Sequence, residues 1–140
     1  MSADRSPATE DPSIGAPPLG YEPIPDIFKL PPGMNFGPCS SVAVNSRGHI
    51  FVFHRADHAL LEFDAEGNYV RALAQGIFKR PHGLRIDAED YIWTTDGASN
   101  IVVRMDPNGR IVLVLGVKDS TGEWHPAGHL RCFDEPNDVA

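Results

Sequence analysis

Val42-Ala43-Val44-Asn45-Ser46-Arg47-Gly48-His49-Ile50-Phe51 lines up with Leu84-Arg85-Ile86-Asp87-Ala88-Glu89-Asp90-Tyr91-Ile92-Trp93. The offset is 42 residues, and it holds without a gap as far as Leu73 and Leu115. Within it, Asp64-Ala65-Glu66-Gly67-Asn68-Tyr69-Val70 meets Asp106-Pro107-Asn108-Gly109-Arg110-Ile111-Val112. Phe36, Phe78 and Phe133 each precede by six residues the apolar residue (Val42, Leu84 or Val139) that opens a copy. A third copy thus begins near the end of the sequence, and the chain reads as the front of something longer. A period near forty residues built on short apolar runs belongs to propeller blades or solenoids.

The runs themselves choose strands. Ser41–Val44, His49–Phe53, Ala59–Phe63 and Tyr69–Leu73 are short and rich in Val, Ile, Phe, Tyr and Leu. Gly83–Ile86, Tyr91–Thr95, Ile101–Met105 and Ile111–Val117 repeat the set, as strands bounded by turns should. Three separators, Asn45–Gly48, Asp64–Gly67 and Asp106–Gly109, open with Asn or Asp and close with Gly. Such a side chain bonds its own backbone two residues on, and Gly supplies the positive φ of a hairpin bulge. Asp87–Asp90 fits less well, because Asp90 stands where the others have Gly. The prediction is an all-β fold: a β-propeller with two four-stranded blades, at about 37–76 and 79–117. A loop insertion follows over 118–132, and a third blade starts over 133–140. Trp93, in the strand position of Phe51, is expected in the core.

Composition bounds the remainder. The formal net charge is −7 and Lys and Arg form no run, which argues against nucleic acid and anionic membranes. No apolar stretch is long enough to span a bilayer. Residues 1–20 lack the apolar centre of a signal peptide and carry Pro7, Pro12, Pro17 and Pro18, so a disordered leader is expected. With only Cys39 and Cys132, a disulfide framework is not expected, and a reducing cytoplasmic location fits. Tyr21–Gly33 alternates in part, and its prolines allow only an edge strand. It reads as the strand that completes the last blade of a closed ring, or else as an arm packed on blade one.

The two copies disagree at two places, and chemistry is expected there. After the second strand, copy two has Thr95-Asp96-Gly97-Ala98-Ser99-Asn100, an Asp followed by a small polar turn. Copy one has Phe53-His54-Arg55-Ala56-Asp57-His58 instead. The second departure is Pro81-His82-Gly83, where His82 takes the place of Ser40 in copy one and Asn137 in copy three. His54 and His58 sit four apart on a strand and turn, so they share no face and suit supporting roles around a site. His125 and His129 are read as residues of a surface loop.

These elements give the chain a specific resemblance. Phe53-His54-Arg55, Pro81-His82-Gly83-Leu84, Ile92-Trp93-Thr94-Thr95-Asp96 and Pro136-Asn137-Asp138-Val139-Ala140 resemble the NHL-type six-bladed propellers. Within those, they are similar to the peptidyl-α-hydroxyglycine amidating lyases. The resemblance covers about Tyr21 to Ala140. It implies cleavage of a peptidyl carbinolamide to a peptide amide and glyoxylate at a zinc ion in the central channel. Under it, Arg55 is the active-site arginine and His82 the first of three zinc-binding histidines. Val42 and Leu84 then lend backbone carbonyls to a channel calcium. Two further histidines and a tyrosine base would come from the remaining blades, so one zinc ligand and one cation make no complete site. The expected partners are a small peptide or amide-type substrate and those blades. Two alternatives stay open, since a propeller fold hosts many functions. One is a non-catalytic NHL scaffold that binds protein or ligand, and the other a lactonase-like hydrolase.

Overall fold

Eight strands in chain order form two antiparallel sheets in the computed structural model, which describes residues 20–121 and 132–140. The first sheet is β1 (Cys39–Val44), β2 (Ile50–His54), β3 (Leu60–Phe63) and β4 (Tyr69–Leu73), paired in that order. The second is β5 (Pro81–Ile86), β6 (Ile92–Asp96), β7 (Ile101–Met105) and β8 (Ile111–Leu115). The described residues are all β, as expected, and the two meandering sheets are consistent with propeller blades. No helix among them is long and apolar enough to cross a membrane. The leader, apart from Gly20, and the pair His125 and His129 lie outside the described residues.

The turn chemistry works as the residues require. Asn45, Asp64, Asp87 and Asp106 each accept the amide two residues on, at 3.1, 3.1, 3.2 and 2.9 Å. Gly48, Gly67 and Gly109 take φ of 79°, 81° and 86°. Asp90 adopts the same left-handed backbone, at φ 63°, which a side chain tolerates poorly. Its carboxylate explains why it is kept: it accepts the Ser46 amide at 2.8 Å and the Ser46 hydroxyl at 2.6 Å. These bonds to Ser46 hold the Asp90 carboxyl below its usual pKa. The residue that fits the turn pattern worst is therefore a tie between blades. Asp90→Gly relaxes the backbone but removes both bonds. We expect a net loss of stability, read as a lower urea midpoint; a midpoint that rises would show that backbone strain outweighs the tie.

The sheets stack face to face, with β1 resting against β5. Phe51, Phe53, Leu60 and Leu73 of blade one meet Leu84, Ile92, Ile101, Val103 and Met105 of blade two. Val52, Leu61 and Phe63 point to the other face of blade one, where Phe28, Leu30 and Met34 cover them. The Phe28 ring lies 4.7 Å from that of Phe63, and the Lys29 amide bonds the Gly67 carbonyl at 2.8 Å. The 27–34 part of this segment therefore packs on blade one, touching it as strand among the described residues only through the Lys29–Asn68 bridge, while residues 21–26 are exposed. A last-blade edge strand would lie on that same face. Trp93 departs from expectation. It faces away from blade one, half-buried, with its indole N–H on Asp87 at 2.9 Å. It is outside the core clusters of the described residues, because Phe51 packs against blade two, whereas the equivalent face of blade two meets no further sheet among the described residues.

Candidate active site

The β2–β3 turn, the approach to β5 and the start of the third copy lie at one end of the two sheets. The antiparallel order dictates this, since hairpin turns alternate between the ends. The two sequence departures, far apart in the chain, thus come together. Arg55 is exposed, and its Nε donates to the Pro81 carbonyl at 3.3 Å. Among the described residues it forms no ion pair with Asp57 or Asp96; its guanidinium reaches the residue just before His82.

His82 is held from the third copy. Its Nδ1 lies 2.8 Å from the Asn137 carbonyl, which also accepts the Thr95 hydroxyl at 3.0 Å. A carbonyl only accepts, so Nδ1 carries a proton, and in the neutral ring Nε2 then has the lone pair. That is the tautomer a metal-binding imidazole takes when a carbonyl orients it from behind. Gly83 permits the approach: a Cβ there would stand 2.6 Å from the same carbonyl. Arg85 and Asp138 close the junction at 2.8 Å, and this contact lowers the carboxyl pKa of Asp138 and raises that of Arg85.

His54 has the opposite tautomer. It is wholly buried, and the Gly37 amide donates to its Nδ1 at 3.1 Å, so the proton sits on Nε2. Burial lowers its pKa, with the His58 backbone opposing in part, and the ring stays neutral at pH 7. Its Nε2 makes no hydrogen bond of good geometry among the described residues. His58 is exposed in the turn at φ 58°. Of the two supporting histidines, His54 thus anchors the corner below Arg55, and His58 projects beside it.

Val42 and Leu84 occupy equivalent places on β1 and β5. Each of these strands has a single neighbour in its sheet, β2 or β6, so alternate carbonyls along its free edge have no ladder partner. The Val42 side chain is exposed and that of Leu84 buried. Among the described residues, no three His, Cys, Asp or Glu side chains converge to hold a metal ion. One contact set escaped the sequence reading. Glu62, in β3, is buried with Arg71 Nε at 2.5 Å and His49 Nδ1 at 2.7 Å. The 42-residue offset pairs Glu62 with Arg104, which stacks on Tyr91 3.8 Å from its ring centre; that reversal of charge was the available signal.

Comparison with known proteins bears on this arrangement. No family model matches the chain. A Caenorhabditis elegans protein named probable peptidyl-alpha-hydroxyglycine alpha-amidating lyase is 32% identical over 133 residues, covering 78% of this chain and 37% of that protein. Rat peptidylglycine alpha-amidating monooxygenase is 27% identical over 143 residues, covering 83% of this chain and 14% of its own length. A Drosophila melanogaster peptidyl-alpha-hydroxyglycine alpha-amidating lyase is 26% identical over 135 residues, covering 76% and 24%. The chain spans little more than a third of the longest-covered of these relatives. Sequence and sheet architecture agree, and across about four-fifths of its length the chain is a homologue of the peptidyl-α-hydroxyglycine amidating lyases.

Proposed function

We propose that this chain forms part of a lyase propeller that cleaves a peptidyl carbinolamide to an amide and glyoxylate. The observation that carries the reading is the meeting of Arg55 with the Pro81–His82 segment through the Pro81 carbonyl. A fixed cation and a tautomer-fixed imidazole then serve one spot. Relatives named as lyases support the same reading.

In such a cleavage the substrate hydroxyl loses its proton, and the C–N bond breaks with its electron pair going to the amide nitrogen. That nitrogen takes up a proton, while the former hydroxyl carbon becomes the aldehyde of glyoxylate. His82, with Nε2 free and Nδ1 tied to Asn137, suits a zinc ligand; the β1 and β5 edge carbonyls at Val42 and Leu84 suit calcium. Zinc, when bound, would supply Lewis-acid polarisation of an oxygen. The Arg55 guanidinium favours the anionic oxygen that develops. Asn137 and Thr95 hold the imidazole so that little ordering remains when substrate arrives.

The test uses the protein as its gene encodes it. We expect glyoxylate release from a peptidyl-α-hydroxyglycine and stoichiometric zinc by metal analysis. His82→Ala is expected to weaken zinc retention by at least about tenfold. Zinc retained in full by the variant would remove His82 from the ligand set. A wild-type protein that releases no glyoxylate would overturn the lyase reading and leave the scaffold and the lactonase-like hydrolase.

A further inference from the structure

Asp96 shows what the corner after the second strand does when the repeat keeps its ordinary residue. One carboxylate oxygen, Oδ2, accepts the amides of Lys79 and Arg80 behind it, at 2.6 and 2.9 Å. The other, Oδ1, accepts the amides of Ala98 and Ser99 ahead of it, at 3.1 and 2.7 Å. The forward pair winds the following turn into the protein, so that Gly97, Ser99 and Asn100 are buried.

His54 stands in that position in blade one and does half of the work. Its Nδ1 accepts backward, from Gly37, the counterpart of Lys79. The counterpart of Arg80 is Pro38, which has no amide proton to offer. The corner itself is preserved, since Arg55 N donates to Pro38 O at 3.0 Å as Gly97 N donates to Arg80 O at 3.1 Å. Forward, an imidazole with its proton on Nε2 has no second acceptor. Among the described residues no protein group takes the amides of Ala56 and Asp57, and Arg55, Ala56, Asp57 and His58 are all exposed.

We propose that His54, with Pro38, is a positioning residue for Arg55: it accepts backward only and so keeps the 55–58 turn open toward β5. The consequence for turnover rests on the lyase reading; the opening of the turn does not. Replacing the repeat's aspartate by histidine converts a buried corner into a projecting one. A small polar turn of the Asp96 type would fold down over its own carboxylate and carry residue 55 with it.

Aspartate and asparagine separate this role from a merely structural one, being the same size and differing in the second acceptor. Both accept from Gly37, but the asparagine NH₂ cannot accept from Ala56 and Asp57. In the protein as its gene encodes it, His54→Asp is expected to slow hydrogen exchange at the Ala56 and Asp57 amides by about tenfold. His54→Asn should leave both near the wild-type rate. On the lyase reading, turnover falls in His54→Asp and is retained in His54→Asn. Equal exchange at both amides in the two variants overturns the proposal, whether or not the protein is a lyase. Slowed exchange in the aspartate variant with unchanged turnover would keep the open turn and overturn its role in placing Arg55.

Discussion

Arg71→Ala is expected to destabilise the protein by about 3 kcal/mol, the low end of what breaking a buried ion pair costs. Glu62 is 1% exposed, and Arg71 Nε lies 2.5 Å from its Oε2. Without Arg71 the carboxylate keeps His49, at 2.7 Å, and a distant Arg47 at 3.8 Å. The low end applies because the Arg71 side chain is itself 33% exposed, so water enters once it is gone. Arg71 also reaches the next blade, donating to the carbonyls of Pro107 and Asn108 at 2.9 and 2.7 Å. One residue thus neutralises a buried charge and clamps two blades. Urea unfolding measures the loss. The double variant Glu62→Leu with Arg71→Leu should recover most of it, because no buried charge is then left unpaired. A single-variant loss below about 1 kcal/mol would show that His49 and Arg47 compensate Glu62 without Arg71.

Glu62 also marks how far strand patterning can be read. The strand Leu60-Leu61-Glu62-Phe63 looks like one with a single solvent-facing residue, yet all four are buried. In a stack of blades both faces of a sheet are covered, and period two no longer separates core from solvent. The 42-residue offset found the strands within about two residues at each end, because turn residues and β-branched runs are local signals. Inter-blade ties are not local. Asp90 looked like a poor turn residue until Ser46, from the preceding blade, was seen to need its carboxylate. Trp93 looked like core because Phe51 is core, but Phe51 has a second sheet against it and Trp93 has none among the described residues. Departures from the repeat were legible where the packing was not. Arg55 and His82 stood out because they violate the repeat, and antiparallel topology brings such violations to one end of the sheets. What the sequence hid was the pair of tautomers. His54 and His82 look alike in the chain, yet an amide faces one Nδ1 and a carbonyl the other.

Arg55→Ala is expected to lower the rate of glyoxylate release by about 10²–10³-fold, as removal of a preorganised donor to a developing oxyanion does. The same substitution should leave the fold intact. The side chain is exposed, and among the described residues its one hydrogen bond is the 3.3 Å contact with Pro81, so the urea midpoint moves little. Arg55→Lys separates charge from geometry. Lysine keeps the charge but presents a compact ammonium on a flexible stem, with none of the planar fork of donors. If fixed donors matter, the lysine variant stays within about tenfold of the alanine variant; if a nearby positive charge suffices, it recovers most of the lost rate. Zinc content should be unchanged in both, which distinguishes these variants from His82→Ala. Turnover within tenfold of wild type in Arg55→Ala would remove the arginine from the chemistry. The case for chemistry in this chain would then rest on His82 and the residues that hold it.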